Sequence, residues 1–356
     1  MPQEQGPLIC PGHSRPVAGI EFSRETEDGV FLISACHDKT AMIRSGETGD
    51  WIGTLEGHKG AVWGAALNPP ATHAVTCSAD FSAKVWDALT GDELYTLQHK
   101  HVVRCAGWAP DSTRFVTGGK EKHLRLFELG EAAPADPLLL QGHTACVKVC
   151  HFIGDRQTLL SAGEDKTMRL WDLRTGSTQR EIEFSGSVNS VELTADGRIM
   201  TVAAGTEVSF WDLTSWQCLK RFSLGVIAAN GYGVNSASLH PNRKAFVAGG
   251  GNFWVYQHDF ETGEELACNK GHHGPVYGAT ASRLSLAPSR LAGESPPPTH
   301  AWQTLPPPAG VRFTPDGKAY ASAGDDGTIR FWNFASPEDG AGADTSTTAA
   351  AAAPES

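Results

Sequence analysis

A segment that opens on Gly-His and closes on an aromatic residue followed by Asp, or on a relative of that pair, recurs along this chain, and its spacing leaves few folds open. In the clearest copy Gly142-His143 opens the segment, Val147 begins an alternating stretch and Leu159-Leu160-Ser161 forms the next. Asp165 marks a turn, and Met168-Arg169-Leu170-Trp171-Asp172 closes the unit. A second copy takes the same steps through Gly57-His58, Thr76, Asp80 and Val85-Trp86-Asp87. Used as a ruler, the closing aromatic or its substitute falls at Arg44, Trp86, Phe127, Trp171, Trp211, Tyr256 and Trp332. The intervals are 42, 41, 44, 40, 45 and 76 residues. A period of about 40–45 residues is that of a four-stranded propeller blade, a unit that buries its faces only against its neighbours. Seven marks therefore predict an all-β fold, a seven-bladed β-propeller of four-stranded antiparallel blades.

An open ring would leave strand edges unpaired, so the first and last blades must be joined. Pro7-Leu8-Ile9-Cys10 precedes Gly12-His13 as Pro137-Leu138-Leu139-Leu140 precedes Gly142-His143. The N-terminal segment is thus predicted to close the ring as the fourth strand of blade seven, beside the strand ending Phe331-Trp332.

The last interval exceeds a normal spacing of 44 by 32 residues, the length of the stretch 279–310. That stretch holds Pro296-Pro297-Pro298 and Pro306-Pro307-Pro308, which cannot donate ladder hydrogen bonds. Joining Val276-Tyr277-Gly278 to Val311-Arg312-Phe313 restores a strand like those of the other copies. An in-frame retained intron or gene-model error is the preferred explanation, and a flexible loop is the alternative. The propeller is then expected over residues 1–335, with 279–310 as a Pro-rich insertion in blade seven. Residues 336–356, with a Thr and Ala run at 347–353, read as a disordered low-complexity tail.

A formal net charge of -11 argues against a surface built to neutralise phosphates, so no direct nucleic-acid binding is expected. The eight cysteines are scattered and form no Cys-x-x-Cys pair, which suits reduced thiols. No basic, apolar leader opens the sequence and no stretch approaches about 18 consecutive apolar residues, so an intracellular protein without membrane insertion is expected.

Several constellations resemble chemistry. His143, Ser161, Asp165 and Trp171 place a hydroxyl, an imidazole and a carboxylate in one unit, as a hydrolase would. The same set returns as His58, Thr76, Asp80 and Trp86, and as His272, Ser322, Asp326 and Trp332, whereas a catalytic triad is needed once. His143, Cys146, Cys150 and His151 carry zinc-ligand residue types, but on a strand the two cysteines lie about 13 Å apart at ~3.3 Å per residue. Gly118-Gly119-Lys120 and Gly249-Gly250-Gly251 match no full phosphate-loop pattern and read as tight turns. Neither a catalytic residue, a metal nor a cofactor is expected, and an enzyme using the central channel is a remote alternative.

Strand alternation nominates a set of side chains near the mouth of the ring, each following a core-facing Val: Ala18, Trp63, Arg104, Lys148, Asn189, Asn235 and Tyr277. Trp and Arg dominate protein–protein binding energy, which makes this rim the expected partner surface. Replacing Trp63 or Lys148 is expected to leave the fold intact, with partly buried packing the alternative for Trp63, since Trp is highly buried on average.

The repeat resembles the WD-repeat (WD40) family. In that family the repeated His, hydroxyl, Asp and Trp form a buried structural network, and the residue before each turn Asp shares the rim, which adds His37, Ala79, Lys120, Glu164 and Asp325. Within it, Phe31-Leu32-Ile33-Ser34-Ala35-Cys36, Gly49-Asp50-Trp51-Ile52-Gly53-Thr54 and Ala79-Asp80-Phe81-Ser82-Ala83-Lys84-Val85-Trp86-Asp87 resemble the serine-threonine kinase receptor-associated (unr-interacting) family. That resemblance implies a scaffold of the cytoplasm and nucleus. Its implied partners are components of the survival-of-motor-neuron complex, which assembles spliceosomal ribonucleoproteins for mRNA splicing, and growth-factor receptor signalling is a further implied link. The propeller subunit of translation initiation factor 3, with a similar blade pattern, is the competing reading.

The spacing arithmetic makes a prediction about the transcript. Sequencing of cDNA is expected to find a major form without the 96 nucleotides encoding the 32 residues 279–310. Deleting them is expected to preserve or raise the melting temperature, because an insertion in mid-strand costs ladder pairing and loop-closure entropy. Transcripts that all carry the segment, with a lower melting temperature on its deletion, would make it a real element of blade seven.

Overall fold

The computed structural model describes residues 7–130, 137–154, 157–225, 233–251, 254–270, 272 and 310–334. They form 28 strands in seven four-stranded antiparallel sheets. Blades one to six each run outward in sequence order, from Val17–Phe22 to Trp51–Glu56 in blade one and from Val147–Phe152 to Ser177–Glu183 in blade four. The innermost strands of successive blades pack on one another, and that of blade seven packs on that of blade one. The result is a closed ring.

Burial explains the composition of each blade. The second strand of blade four, Thr158–Gly163, is covered on both faces and reads Thr-Leu-Leu-Ser-Ala-Gly, while its outermost strand Ser177–Glu183 is largely exposed and charged. Apolar side chains gather between blades. Trp86 of blade two packs with Ile33, Ile43 and Leu55 of blade one, and Trp171 of blade four with Val116, Leu124 and Leu140 of blade three. Each ruler Trp is therefore a wedge against the preceding blade, worth about 1.5–3 kcal/mol per large apolar side chain buried.

Closure occurs as the sequence implies. Leu8–Cys10 pairs antiparallel with Ile329–Asn333, Leu8 opposite Phe331 and Cys10 opposite Ile329. Cys10 and Phe331 join the cluster that cements blade seven to Val17, Ile20 and Leu32 of blade one.

Blade seven also bears on the surplus segment, of which 279–309 lies outside the described residues, as does the tail 336–356. Its innermost strand is described only as Val311–Phe313, against six residues in the other blades. Gly310 accepts the backbone N–H of Ala323 at 2.8 Å, continuing that ladder by one residue. Both 278 and 310 are Gly, so removing 279–310 or 278–309 yields the same chain. His272 and Asp326, hydrogen-bonded to each other, are 54 residues apart; without the 32 surplus residues the separation is 22, the value in blades two and four.

Removing the closing strand tests this architecture. A chain lacking residues up to Cys10 leaves Ile329–Asn333 as an unpaired edge and opens the cluster beside it. The expected outcome is a lower melting temperature and self-association on size-exclusion chromatography, since bare edges template pairing.

Candidate functional site at the channel mouth

The repeated constellations come together as hydrogen-bonded chains. In blade four Trp171 Nε1 donates to Ser161 Oγ at 2.8 Å, Ser161 Oγ lies 2.7 Å from His143 Nε2, and His143 Nδ1 lies 2.7 Å from Asp165 Oδ2. The indole N–H is a donor only, so the hydroxyl proton turns to Nε2 and Nδ1–H faces the carboxylate. Blade two repeats the chain through Trp86, Thr76, His58 and Asp80, and blade seven through Trp332, Ser322, His272 and Asp326. All three hydroxyls are buried and already bonded to Trp, so none is presented to a substrate.

Asp165 also shapes the turn after it. Lys166 takes φ 63°, a left-handed conformation unfavourable for a side-chain-bearing residue, and Asp165 Oδ1 accepts the N–H and hydroxyl of Thr167 just beyond. Burial pushes the Asp165 carboxyl up. The His143 hydrogen bond, attraction to that ring and the N–H groups of Thr144 and Thr167 outweigh it and hold the group well below the usual carboxylate range.

Two further copies went unread in the sequence. In blade one His13 bonds Asp38 at 2.9 Å and Ser34 at 2.8 Å, but the His-to-Asp separation is 25 and Arg44 replaces Trp, donating instead to the carbonyls of Pro11 and Gly49. In blade three His99 faces Thr117 and Glu121, with Phe127 in the Trp place. In blade three a His, a hydroxyl and an acid at the repeat's spacing were the available signal; in blade one only Gly12-His13 was. Among the described residues, His13, Cys36 and Asp38 are the one grouping with metal-ligand atoms close together, and the network accounts for it: Cys36 Sγ donates to the carbonyl of Arg15 at 3.0 Å.

The nominated rim residues occupy equivalent places, through a device that alternation does not contain. In each of the six blades whose innermost strand is described from its first residue, the ladder skips one residue: Ala18, Trp63, Arg104, Lys148, Asn189 and Asn235. Such a bulge re-aims its side chain. The six side chains form a belt on the strands that line the channel. His37 stacks edge-on against Trp63 with centroids 4.3 Å apart, and Arg104 Cζ lies 4.1 Å from the Trp63 ring centre. Lys148 Nζ donates to Ser187 Oγ at 2.8 Å and Asn189 Oδ1 at 3.0 Å, and Asn189 donates to the carbonyl of Val234 at 2.9 Å. Tyr277 lies outside the described residues.

Exposure corrects the sequence reading. Trp63 is 8% exposed and Arg104 and Lys148 0%, with Ala18, Asn189 and Asn235 also buried. Ala18, Trp63, Lys148 and Asn189 each touch the next blade, so Trp63 and Lys148 are part of the packing, and their replacement by Ala or Glu is expected to destabilise the fold. The turn residues His37, Ala79, Lys120, Glu164 and Asp325 are half-buried and remain reachable. Burial pulls the Lys148 ammonium down to about 7 against the attraction of Glu164, 3.9 Å away. Burial, with Arg104 and Arg15, likewise lowers His37 to about 4, so it is neutral at physiological pH.

Further along the same strands sits a second layer of half-buried titratable side chains that sequence reading passed over: Glu21, His151, Glu192 and Arg312. Arg312 Nε lies 3.7 Å from Glu192 Oε1, Arg312 Nη1 donates to Ser236 Oγ at 3.0 Å, and Ser238 donates to Glu192 at 3.0 Å. Burial, offset in part by Arg312, raises Glu21 to about 7. Alternation within each innermost strand was the signal, since all four are the fifth residue of their strand or its counterpart in blade seven.

Seven closed blades, Gly-His networks and a wedge aromatic in six of the blades define a WD40 propeller. Residues 49–87, 91–128, 137–172 and 307–333 match the family described as WD domain, G-beta repeat. The chain is 42% identical over 332 residues to the human serine-threonine kinase receptor-associated protein, covering 93% of this chain and 83% of that protein. Identity to the protein of the same name from Dictyostelium discoideum is 44% over 328 residues, with 92% and 98% covered. Eukaryotic translation initiation factor 3 subunit I of Culex quinquefasciatus is 26% identical over 357 residues, with 92% and 96% covered. This chain belongs to the serine-threonine kinase receptor-associated protein family.

The network makes a stability prediction. Asp165→Ala removes the acceptor of the Gly-His loop and is expected to cost ~1–3 kcal/mol in thermal or urea unfolding. Asp38, Asp80, Asp165 and Asp326 all have lowered folded-state values. A lowered carboxyl stabilises the fold above its unfolded value, near ~3.9, and that stability is lost as pH falls toward the folded value. The wild type is therefore expected to lose melting temperature steeply below about pH 4, and Asp165→Ala less steeply. Equal slopes would remove the network from the acid response.

Proposed function

We propose that this chain is a non-catalytic scaffold that holds protein partners at the channel mouth, acting in the survival-of-motor-neuron complex in cytoplasm and nucleus. The observation that carries the reading is the belt itself. The hydroxyls of the repeated triads are sealed inside blades, whereas an aromatic, cations and amides converge on one face of a rigid ring, flanked by reachable turn residues. Rigid scaffolds with function at loops and turns are the usual form of a binding platform. Family membership supports the choice of complex, and the relatives' name, receptor-associated, supports an added signalling role where such receptors exist. The initiation factor 3 reading has weaker support, at 26% identity.

Affinity purification of the tagged full chain with mass spectrometry tests both. Survival-of-motor-neuron components are expected to copurify, and Lys120→Glu is expected to reduce their recovery about tenfold, a loss of ~1.4 kcal/mol, with unchanged melting temperature. Recovery of initiation factor 3 subunits and ribosomes would select the competing reading. Recovery unaffected by rim substitutions would move the partner to another face.

A further inference from the structure

The belt contains a group that its own fold does not satisfy. The Arg104 guanidinium is fully buried, and Nε, Nη1 and Nη2 all lack hydrogen-bond partners among the described residues. The indole Nε1 of Trp63, whose ring it lies over, is likewise buried and unbonded among the described residues. Arg104 Cζ lies over that ring 4.1 Å from its centre, a cation–π contact that offers the guanidinium N–H groups no oxygen or nitrogen acceptor. A buried charge without hydrogen bonds is among the costliest arrangements a fold can hold, so a partner for these donors is called for.

The surroundings say what kind of partner. Lys148 and Lys120 stand on the same sector of the mouth, and Arg15 adds a positive field at His37 that Asp38 offsets in part. The nearby acid Glu164 faces Lys148, and among the described residues its Oε1 makes no hydrogen bond, to Arg104 or to any other group. Donors outnumber acceptors, and cations outnumber anions, at one place on a chain whose formal net charge is -11. An unused planar fork beside an indole N–H matches an oxyanion, and a carboxylate takes such a fork bidentately.

We propose that Arg104 and Trp63 form a receptor for one carboxylate side chain from an acidic segment of a protein partner. This rests on the reading of the belt as the partner surface and deepens it. The acidic average of the chain repels a polyanion more strongly than a single carboxylate, which favours a peptide carboxylate over a nucleic acid backbone. Because Arg104 is covered, entry requires Trp63 and the half-buried turn residues beside it to reorient.

The test uses the full chain and three short fluorescein-labelled peptides in a Gly/Ser background: one Glu-rich, its Gln counterpart and its phosphoserine counterpart. Fluorescence anisotropy is expected to give the Glu peptide at least about a tenfold tighter Kd than the Gln peptide, as charge-assisted bonds require. Arg104→Met is expected to abolish that preference while holding or raising the melting temperature, since it removes an unsatisfied buried charge. Arg104→Lys, which keeps the charge without the fork, is expected to retain only part of the preference. Equal binding of the Glu and Gln peptides by the wild type overturns the proposal. So does a preference that survives in Arg104→Met, or phosphoserine binding tenfold tighter than Glu, which would assign the site to phosphate. A fall in melting temperature with Arg104→Met and an unchanged preference marks the stack as packing alone. Partner recovery that still depends on Lys120 would then leave the scaffold reading standing and this receptor rejected.

Discussion

A single hydrogen-bonded chain, Trp to hydroxyl to imidazole to carboxylate, sets the geometry on which the ring depends. Its members come from the third strand, the second strand, the Gly-His loop and the turn of one blade, so closing it fixes all four relative to one another. The indole that begins it is also the wedge against the preceding blade. Polar order within a blade and apolar packing between blades thus meet in one side chain. Where the chain is missing, aromatic packing takes over. Blades five and six place Phe210, Phe222, Phe246 and Phe260 in one cluster, Phe210 4.9 Å from Phe260 and 5.1 Å from Phe246. Edge-on aromatic pairs of this kind contribute about 0.5–1.5 kcal/mol beyond their buried area. The ring therefore tolerates loss of the network in two of its blades.

Blade count, closure strand and the complete networks were legible in the sequence because each rests on residue identity at a fixed spacing. Trp86, Trp171 and Trp332 could be found by counting. Blade one was half-legible: Gly12-His13 announced it, but the extra residues before Asp38 and the Arg at 44 broke the pattern on which recognition relied. Arg44 succeeds there because a guanidinium can reach the carbonyls of Pro11 and Gly49 from the place an indole would fill. The position of the belt was legible, its cause and exposure were not. Period-two alternation describes a regular ladder, and a bulge is a departure from it that no residue type in Ala18, Trp63, Arg104 or Asn235 announces. Burial of Lys148 depends on Ser187 and Asn189 of the next blade, a contact across 39 to 41 residues that only the assembled ring brings about.

The surplus in blade seven shows how far a closed ring constrains its own chain. His272 and Asp326 meet at 3.0 Å although 54 residues separate them, and His272 reaches Ser322 at 2.8 Å across 50. Subtracting the 32 surplus residues returns 22 and 18, the separations in blades two and four. Closing a long loop costs only slowly increasing entropy, so the network and the closure strand can hold the blade's frame across such a span.

Charge is distributed against the average of the chain. A formal net charge of -11 repels acidic partners at long range, yet the sector of the mouth formed by blades three and four carries Arg104, Lys120 and Lys148 against Glu164. At physiological ionic strength the screening length is about 8 Å, so the distant acidic surface fades while the local cations are felt at contact. Such an arrangement gives little steering and much discrimination at short range, because what an arriving group meets is a preorganised donor set and not a diffuse field. Burial reinforces this. The same low-dielectric setting that draws Lys148 toward about 7 and keeps His37 neutral strengthens whatever hydrogen bonds the Arg104 fork makes. The belt thus combines the rigidity of ring packing with donors that the ring itself leaves unused.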